Sequence, residues 1–372
     1  MIYFSAQGCL RLLAGLKGKR IGKTSVLSFL IALSLLSACM RTERTRTTAE
    51  SPPHHTPDGF RNPYQNSDRG FGAFLRWRLG LGPNETSPLP PEEVPPFKPA
   101  ITPPDLNRIR TPDPDRIQIT WIGHTTFLIQ AGGINILTDP VFSDRVSPFS
   151  FGGIKRLTPP GLRIDELPGI QAVVISHNHY DHLDLPTIEQ LGQQVTYFVP
   201  LGLGAWLKKR NMEKVVEMDW WQSSVLNGIA FHSVPIQHFS GRSPFDRNRT
   251  LWSGWIIETQ QGRIFFAGDT GYSPQFKEIG DRFRPIRVSI LPIGAYRPRW
   301  FMSPVHVDPP EAIRIHKDTL SERSIASHWG TFKMADEPPG EPPVYLRKSL
   351  KEAGIGEEEF ILMSVGETLS VR

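Results

Sequence analysis

The chain of 372 residues carries 42 Lys plus Arg against 37 Asp plus Glu, with 39% hydrophobic and 21% charged residues. That composition excludes a wholly disordered protein and a multi-span membrane protein, and the length allows two small domains or one large α/β unit. Residues 1–38 hold five basic residues and no acid, so the remainder has 37 of each sign and the positive excess says little for nucleic-acid binding.

At the N-terminus a basic stretch ending at Lys23 precedes an apolar run, Val26–Leu36, and then Ser37-Ala38-Cys39. This is the order of a secretory signal, and the run falls short of the roughly 20 residues that a membrane span needs. Leu36-Ser37-Ala38-Cys39 resembles a bacterial lipobox, where cleavage leaves the Cys N-terminal and lipidated. The expectation is a signal peptide over 1–38 and a lipoprotein exported to the bacterial cell envelope, anchored through Cys39 on a periplasmic or outer-surface face; an uncleaved anchor is the alternative. The other cysteine, Cys9, lies inside the leader, so the remaining chain has neither a disulfide nor a thiolate ligand.

Residues 39–116 read as a tether followed by a Pro-rich arm: 15 of the 35 prolines fall between Ser51 and Arg116. Within it, Gly70–Leu81 (GFGAFLRWRLGL) predicts a short helix or arm packed on the main domain, and Pro88–Pro104 an extended cover. A folded domain is expected over 117–372. Ile117–Ile122 and Thr125–Gln130 read as strands flanking Gly123-His124, followed by Ile134–Thr138. Further strands are expected at Ala172–Ser176, Val195–Val199, Ile229–Val234, Ser253–Glu258, Arg263–Ala267, Val288–Pro292, Ser324–Ser327 and Phe360–Met363. Helices are expected at Leu185–Leu191, Leu203–Arg210, Pro309–Lys317 and Pro343–Ala353. Strand pairs interrupted by helices fit two sheets covered by outer helices better than a doubly wound parallel sheet.

The segment Ala172–Asp184 (AVVISHNHYDHLD) carries the chemistry. Its strand releases His177, His179, Asp181 and His182 into a loop. In extended chain His177 and His179 share one side and can grip one cation, while Asp181 and His182 reach a second. Imidazole and carboxylate suit zinc, with iron or manganese as alternatives. His238, Asp269 and His328 each lie just past an apolar strand, where α/β sheets place their sites. Alone they read equally as a loop His, a turn-former beside Gly268 and Gly271, and a hydrogen-bonded core His; together with the first cluster they complete a ligand count.

HxHxDH followed by a distant His, an Asp and a last His resembles the metallo-β-lactamase superfamily of binuclear metallohydrolases. The resemblance implies an α/β fold, an αββα sandwich of two mixed β-sheets flanked by helices. It also implies two Zn2+ ions, the first held by His177, His179 and His238, the second by Asp181, His182 and His328, with Asp269 bridging. Asp139, in Leu137-Thr138-Asp139-Pro140, either orients a ligand His or forms an Asp-Pro turn. The runs WIGHTTFLIQ (Trp121–Gln130), LTDPVFSDR (Leu137–Arg145), FFAGDTGY (Phe265–Tyr272), PIGAYRPRWFM (Pro292–Met302), HVDPPEAIRIH (His306–His316) and HWGTF (His328–Phe332) resemble the N-acyl-phosphatidylethanolamine-hydrolysing phospholipase D branch, from about Phe60 to the C-terminus. Leu185 and Val305 depart from that branch at positions that could affect substrate fit.

The resemblance implies a phosphodiesterase that releases an N-acylethanolamine and phosphatidic acid from a phospholipid at a membrane surface, with His306, Asp181 and Asp269 as catalytic residues. His306 precedes Asp308, an N-cap with Glu311 as capping-box partner, and so sits just ahead of a helix N-terminus that favours anions. Tyr180, Trp300 and Phe301 join His306 as expected substrate contacts. With Trp220, Trp221, Tyr296 and Met302 they would form an apolar lip, or belong to the core; Arg297 and Arg299 would meet lipid phosphate or remain solvated. The resemblance alone suggests a homodimer, and no nucleic-acid partner is expected. The alternatives are a lactonase or other esterase or amide hydrolase of the same fold, and a non-catalytic metal-binding surface lipoprotein.

Overall fold

The structure is a computed structural model that describes residues 51–64, 69–147, 152–243 and 245–371. The expected signal peptide, Cys39 and the first part of the tether lie outside the described residues. Residues from Ser51 onward form one compact unit, so the Pro-rich arm packs with the hydrolase region. Among the described residues no helix is long and apolar enough to cross a membrane.

Two seven-stranded sheets face each other. In the first, β1 (Ile117–Gly123), β2 (Thr126–Ala131), β3 (Ile134–Thr138), β4 (Ala172–Val174), β5 (Thr196–Pro200), β6 (Val215–Met218) and the C-terminal β14 (Thr368–Val371) lie in the order β6-β5-β4-β3-β2-β1-β14. In the second, β7 (Ser223–Leu226), β8 (Ile229–Val234), β9 (Gly254–Thr259), β10 (Gly262–Phe266), β11 (Ile286–Pro292), β12 (Ser324–Ser327) and β13 (Phe360–Ile361) follow chain order. Each sheet changes from antiparallel to parallel pairing partway across: at β3 in the first, at β10 in the second. This is the expected sandwich of two mixed sheets.

The strand periodicity explains the layering. Ile117, Ile119, Trp121, Phe127 and Ile129 of the first sheet meet Trp255, Ile257, Ile264 and Phe266 of the second between the sheets. Residues of opposite parity point outward: Leu128, Leu137 and Val173 pack beneath α2 (Leu106–Arg110), α3 (Leu185–Leu191) and α4 (Gly204–Lys208). Ile256, Phe265 and Leu291 lie with residues of α5 (Gln275–Phe283), α7 (Pro309–Asp318) and α8 (Glu341–Ala353). Both faces of each sheet are therefore buried, which is why these strands read as nearly continuous apolar runs. The expected arm helix is α1 (Phe71–Arg78), and α6 (Arg299–Met302) is a single turn ahead of α7.

Some boundaries differ from the sequence reading. The strand expected over Ala172–Ser176 ends at Val174, and α8 starts at Glu341, ahead of Pro343, because prolines are tolerated in a first helical turn. Edge strands β6, β7 and β14 and helix α5 were not expected. The edges are short and half-exposed, and α5 contains Gly280, where an added Cβ would lie 2.4 Å from the carbonyl oxygen of Asp318 at the end of α7.

Candidate metal centre

Every expected ligand arrives from a loop at the same end of the sandwich. His177, His179, Asp181 and His182 follow β4, His238 follows β8, Asp269 follows β10, and His328 follows β12 directly. Two groups form. His177, His179 and His238 offer ring nitrogens within 4.8 Å of one another, with His177 Nε2 2.8 Å and His238 Nε2 3.4 Å from His179 Nδ1. Asp181, His182 and His328 form the second group, joined by His124, whose Nε2 is 3.0 Å from Asp181 Oδ2. Asp269 stands between the groups. Its Oδ2 lies 3.1 Å from His182 Nε2 and 3.9 Å from His238 Nε2, and its Oδ1 lies 3.1 Å from His328 Nε2.

The surrounding polar groups fix which nitrogen faces inward. His238 donates from Nδ1 to the carbonyl of Val305 at 2.8 Å, and His182 donates from Nδ1 to Asp139 Oδ2 at 2.7 Å. Both rings thereby present Nε2 to the centre, the arrangement that orients a ligating imidazole. Asp139 is itself held by the Ser176 backbone N–H at 2.6 Å and hydroxyl at 2.5 Å. Left-handed backbone at His124 (φ 56°), Asp139 (φ 33°) and His328 (φ 60°) marks turns that aim side chains against local preference.

Electrostatics divides the two groups. Burial lowers the imidazole pKa to about 4 at His179 and about 3 at His238, so these rings are neutral and keep their lone pairs. Burial also opposes charge on His328 and His182, but the charge of Asp269, with Asp181 adding to it, overrides this. The His328 pKa is pushed up to about 9, and that of His182 well above its usual range. Burial disfavours the charged carboxylates too, yet His182 beside them holds both well below the ordinary carboxylate range.

Several buried atoms here lack a hydrogen bond: His182 Nε2, His328 Nε2, Asp269 Oδ1 and His306 Nδ1. Such orphans are costly unless something else satisfies them. Convergent imidazole and carboxylate groups with no thiolate fit borderline divalent cations, one position for each group and Asp269 reaching both.

A cavity of about 640 Å3 opens onto this centre, with Asp181, Asp269, His306 and His328 at its inner end. Phe74 and Trp77 of α1, Phe301 and Met302 of α6, and Phe239 and Met334 form apolar walls. Trp77 stacks on Phe301 at 5.0 Å, and Glu85 accepts from the backbone N–H groups of Arg299 and Trp300 at 2.5 and 2.6 Å, so the arm builds one side of the mouth.

The aromatic lip expected from sequence is only partly there. Tyr180 donates to the carbonyl of Arg242 and carries that guanidinium over its ring at 3.8 Å, which turns it toward a separate cavity. Trp300 packs on Gly82 and Arg76 outside the cavity lining, Tyr296 is buried against Glu341, and Trp220 is enclosed beside Trp252. Trp221 carries Arg282 over its ring, away from the mouth. Arg297 pairs with Glu341, and Arg299 pairs with Glu311 and donates to the His306 carbonyl at 2.9 Å, so both guanidinium groups are engaged within the protein. His124, Glu85 and the arm residues Phe74 and Trp77 were not singled out as site residues. His124, in the Gly123-His124 turn between two strands, and the aromatic arm Gly70–Leu81 carried the signals that could have been followed.

Residues 134–329 match the family described as Beta-lactamase superfamily domain, a span that contains all seven expected ligands. The chain is 40% identical over 268 residues to N-acyl-phosphatidylethanolamine-hydrolyzing phospholipase D 1 of Caenorhabditis elegans, covering 67% of this chain and 74% of that protein. It is 35% identical over 228 residues to the mitochondrial N-acyl-phosphatidylethanolamine-hydrolyzing phospholipase D of Saccharomyces cerevisiae, covering 59% of this chain and 48% of that protein. A solved structure of a possible metal-dependent hydrolase from Veillonella parvula shares the fold at a TM-score of 0.56 and 21% identity, over 68% of this chain and 99% of that one.

Proposed function

The chain belongs to the β-lactamase superfamily and is a metal-dependent hydrolase; from that premise we propose that it is a phospholipase D-type phosphodiesterase. In this reading it cleaves N-acyl-phosphatidylethanolamine to N-acylethanolamine and phosphatidic acid, with two zinc ions as cofactors. One observation carries the reading: a largely apolar cavity leads directly to paired ligand groups, with a histidine at their side. Apolar walls suit acyl chains, and the polar inner end suits a phosphodiester. The relatives from Caenorhabditis elegans and Saccharomyces cerevisiae are named for hydrolysing this lipid.

His177, His179 and His238 would hold one zinc, Asp181, His182 and His328 the other, and Asp269 both. When bound, the pair supplies an activated water and neutralises charge on the phosphoryl oxygens. The chain's own groups do the rest. His306 Nδ1 lies 3.9 Å from Asp269 Oδ2 and faces the cavity, and burial lowers its pKa to about 3, so at neutral pH the ring is uncharged. It donates a hydrogen bond to a phosphoryl or leaving-group oxygen, the residue's position fixed by its backbone N–H donating to the Met302 carbonyl at 2.8 Å and by Arg299 on its own carbonyl. Phe301 and Met302 exclude water from the path of the acyl chains.

The lipid substrate agrees with anchoring of the chain through Cys39 at a cell-envelope membrane. Leu79 and Leu81, just past α1, are 66% and 63% exposed, as suits contact with a bilayer. Zinc-loaded protein is expected to release phosphatidate from N-acylated phosphatidylethanolamine far faster than from the plain lipid. Inertness toward both with metal bound overturns the reading, and lactone hydrolysis by the same preparation would redirect it to a lactonase. Mass spectrometry of the membrane-extracted protein tests the anchor: an acylated Cys39 supports it, and an intact Met1 ends it.

A further inference from the structure

Outside the paired centre, three more metal-ligating side chains converge. His54 and His55 are consecutive, and the chain turns at Pro53–His54 so that both rings reach one carboxylate more than 160 residues away. His54 Nε2 lies 2.7 Å from Asp219 Oδ1, and His55 Nε2 lies 2.8 Å from Asp219 Oδ2. The three ligand atoms all fall within 4.8 Å of one another.

Successive side chains in extended chain point apart, so bringing two neighbours onto one carboxylate takes a dedicated backbone bend. The surroundings hold the rings in place. His54 stacks on Trp220 at 4.2 Å, His55 meets Phe60 edge-on at 5.2 Å, and the two imidazoles stand at 84° to each other. Asp219 follows β6 and is fixed by its own N–H donating to Gln222 and by its Oδ1 accepting from the Trp220 N–H. Among the described residues no Lys or Arg forms an ion pair with Asp219, although its side chain is only 13% exposed. Its oxygens meet the two imidazoles instead, and a divalent cation displacing their protons would find a carboxylate already withdrawn from water.

We propose that His54, His55 and Asp219 form a third metal site, separate from the paired centre, that takes one borderline divalent cation of the Zn2+ class. Two imidazoles and one carboxylate are the donor set zinc accepts, with solvent free to complete the coordination on the 28%-exposed His55 side. The site's role follows from what the segment does next. Asn62 donates from Nδ2 to the main-chain carbonyl of His238 at 2.7 Å and accepts from Trp252 Nε1 at 3.1 Å. A cation at His54, His55 and Asp219 ties the segment that carries Asn62 to the connection between β6 of the first sheet and β7 of the second, and so braces the loop that carries His238.

The test is metal analysis of the full-length protein equilibrated with Zn2+ and dialysed. Wild type is expected to retain about three zinc equivalents per chain, and His55→Ala and Asp219→Asn about one fewer each. Equal zinc content in wild type and both folded variants overturns the proposal. Should either variant fail to fold, diffraction at the zinc edge on wild-type crystals decides. An anomalous peak within bonding distance of His54 Nε2, His55 Nε2 and Asp219 supports the site, and its absence where the paired centre shows peaks refutes it.

Discussion

Asp139 and His182 share a fully buried hydrogen bond of 2.7 Å from Nδ1 to Oδ2, and the other partners of the Asp139 carboxylate are both donors: the Ser176 N–H and the Ser176 hydroxyl. A carboxylate accepts from all three, whereas an amide must turn its NH2 toward one of them. Asp139→Asn should therefore let the His182 ring turn and lower affinity at the second metal position by about 10–100-fold. Competition with a chelator measures this. Unchanged affinity would reduce Asp139 to a turn-former.

His306 and Asp269 separate two kinds of loss. His306→Ala should lower phosphodiester turnover by about 10²–10⁴-fold with both metals retained, because its ring faces the cavity and all seven proposed ligands stay in place, although His306 lies within ligand reach of His238 and Asp269. Asp269→Ala should strip metal, since its oxygens reach both groups. Metal content beside turnover distinguishes them, and loss of metal in the His306 variant would contradict the assignment.

How far the sequence led depends on whether a side chain's direction is set by its own strand or by tertiary packing. The paired sheets were legible because Trp255 to Ile257 and Ile264 to Phe266 bury alternating faces, and the ligand loops were legible because His177, Asp269 and His328 stand at the ends of such strands. The mouth was not. Trp300, Phe301 and Met302 occupy one turn of α6, so their side chains leave about 100° apart, and only the last two face the cavity. Tyr180 sits inside the metal loop, yet Arg242, 62 residues away, turns it aside. His124 is separated by 57 residues from the carboxylate it meets, a distance no local pattern encodes.

The same geometry predicts a split in chain-length preference. Phe301→Ala removes a cavity wall that stacks on Trp77 and should lower efficiency with long-chain lipids by about 10–100-fold. Short-chain analogues should lose much less. Trp300→Ala, on the outer side of the same turn, should leave the long-to-short ratio near that of wild type. A panel of N-acyl lipids of increasing length reads both variants, and equal ratios in all three proteins would remove Phe301 from the substrate path.

Gly268 has φ 61°, and an added Cβ would lie 2.4 Å from Cβ of Ser176. Gly268→Ala combines left-handed strain of about 1–2 kcal/mol with overpacking of about 1–3 kcal/mol, so a loss of roughly 2–5 kcal/mol is expected. Ser176 is the residue that holds Asp139, so metal affinity should fall as well. Denaturant unfolding of the metal-free variant isolates the first effect, and a change below about 1 kcal/mol would mean that the loop shifts freely.

Removing metal should expose a difference between the two positions. In the stripped chain, burial works against a charged His328, but Asp269 and Asp181 raise its pKa to about 9, and His182 is held well above its usual value. A cation can take their lone pairs only by expelling those protons, so binding at this position must strengthen as pH rises toward 9, by about tenfold per pH unit for each proton released. The His177, His179 and His238 position behaves otherwise. Burial already keeps its rings neutral, with pKa values of about 4 at His179 and about 3 at His238, so no proton stands in the way at neutral pH. Zinc titration of stripped protein at pH 6.5, 7.5 and 8.5, in buffers of differing ionisation heat, should resolve one class of site whose affinity climbs with pH and releases protons, and another whose affinity stays flat. Two flat classes would mean that the carboxylates do not charge the second position's histidines.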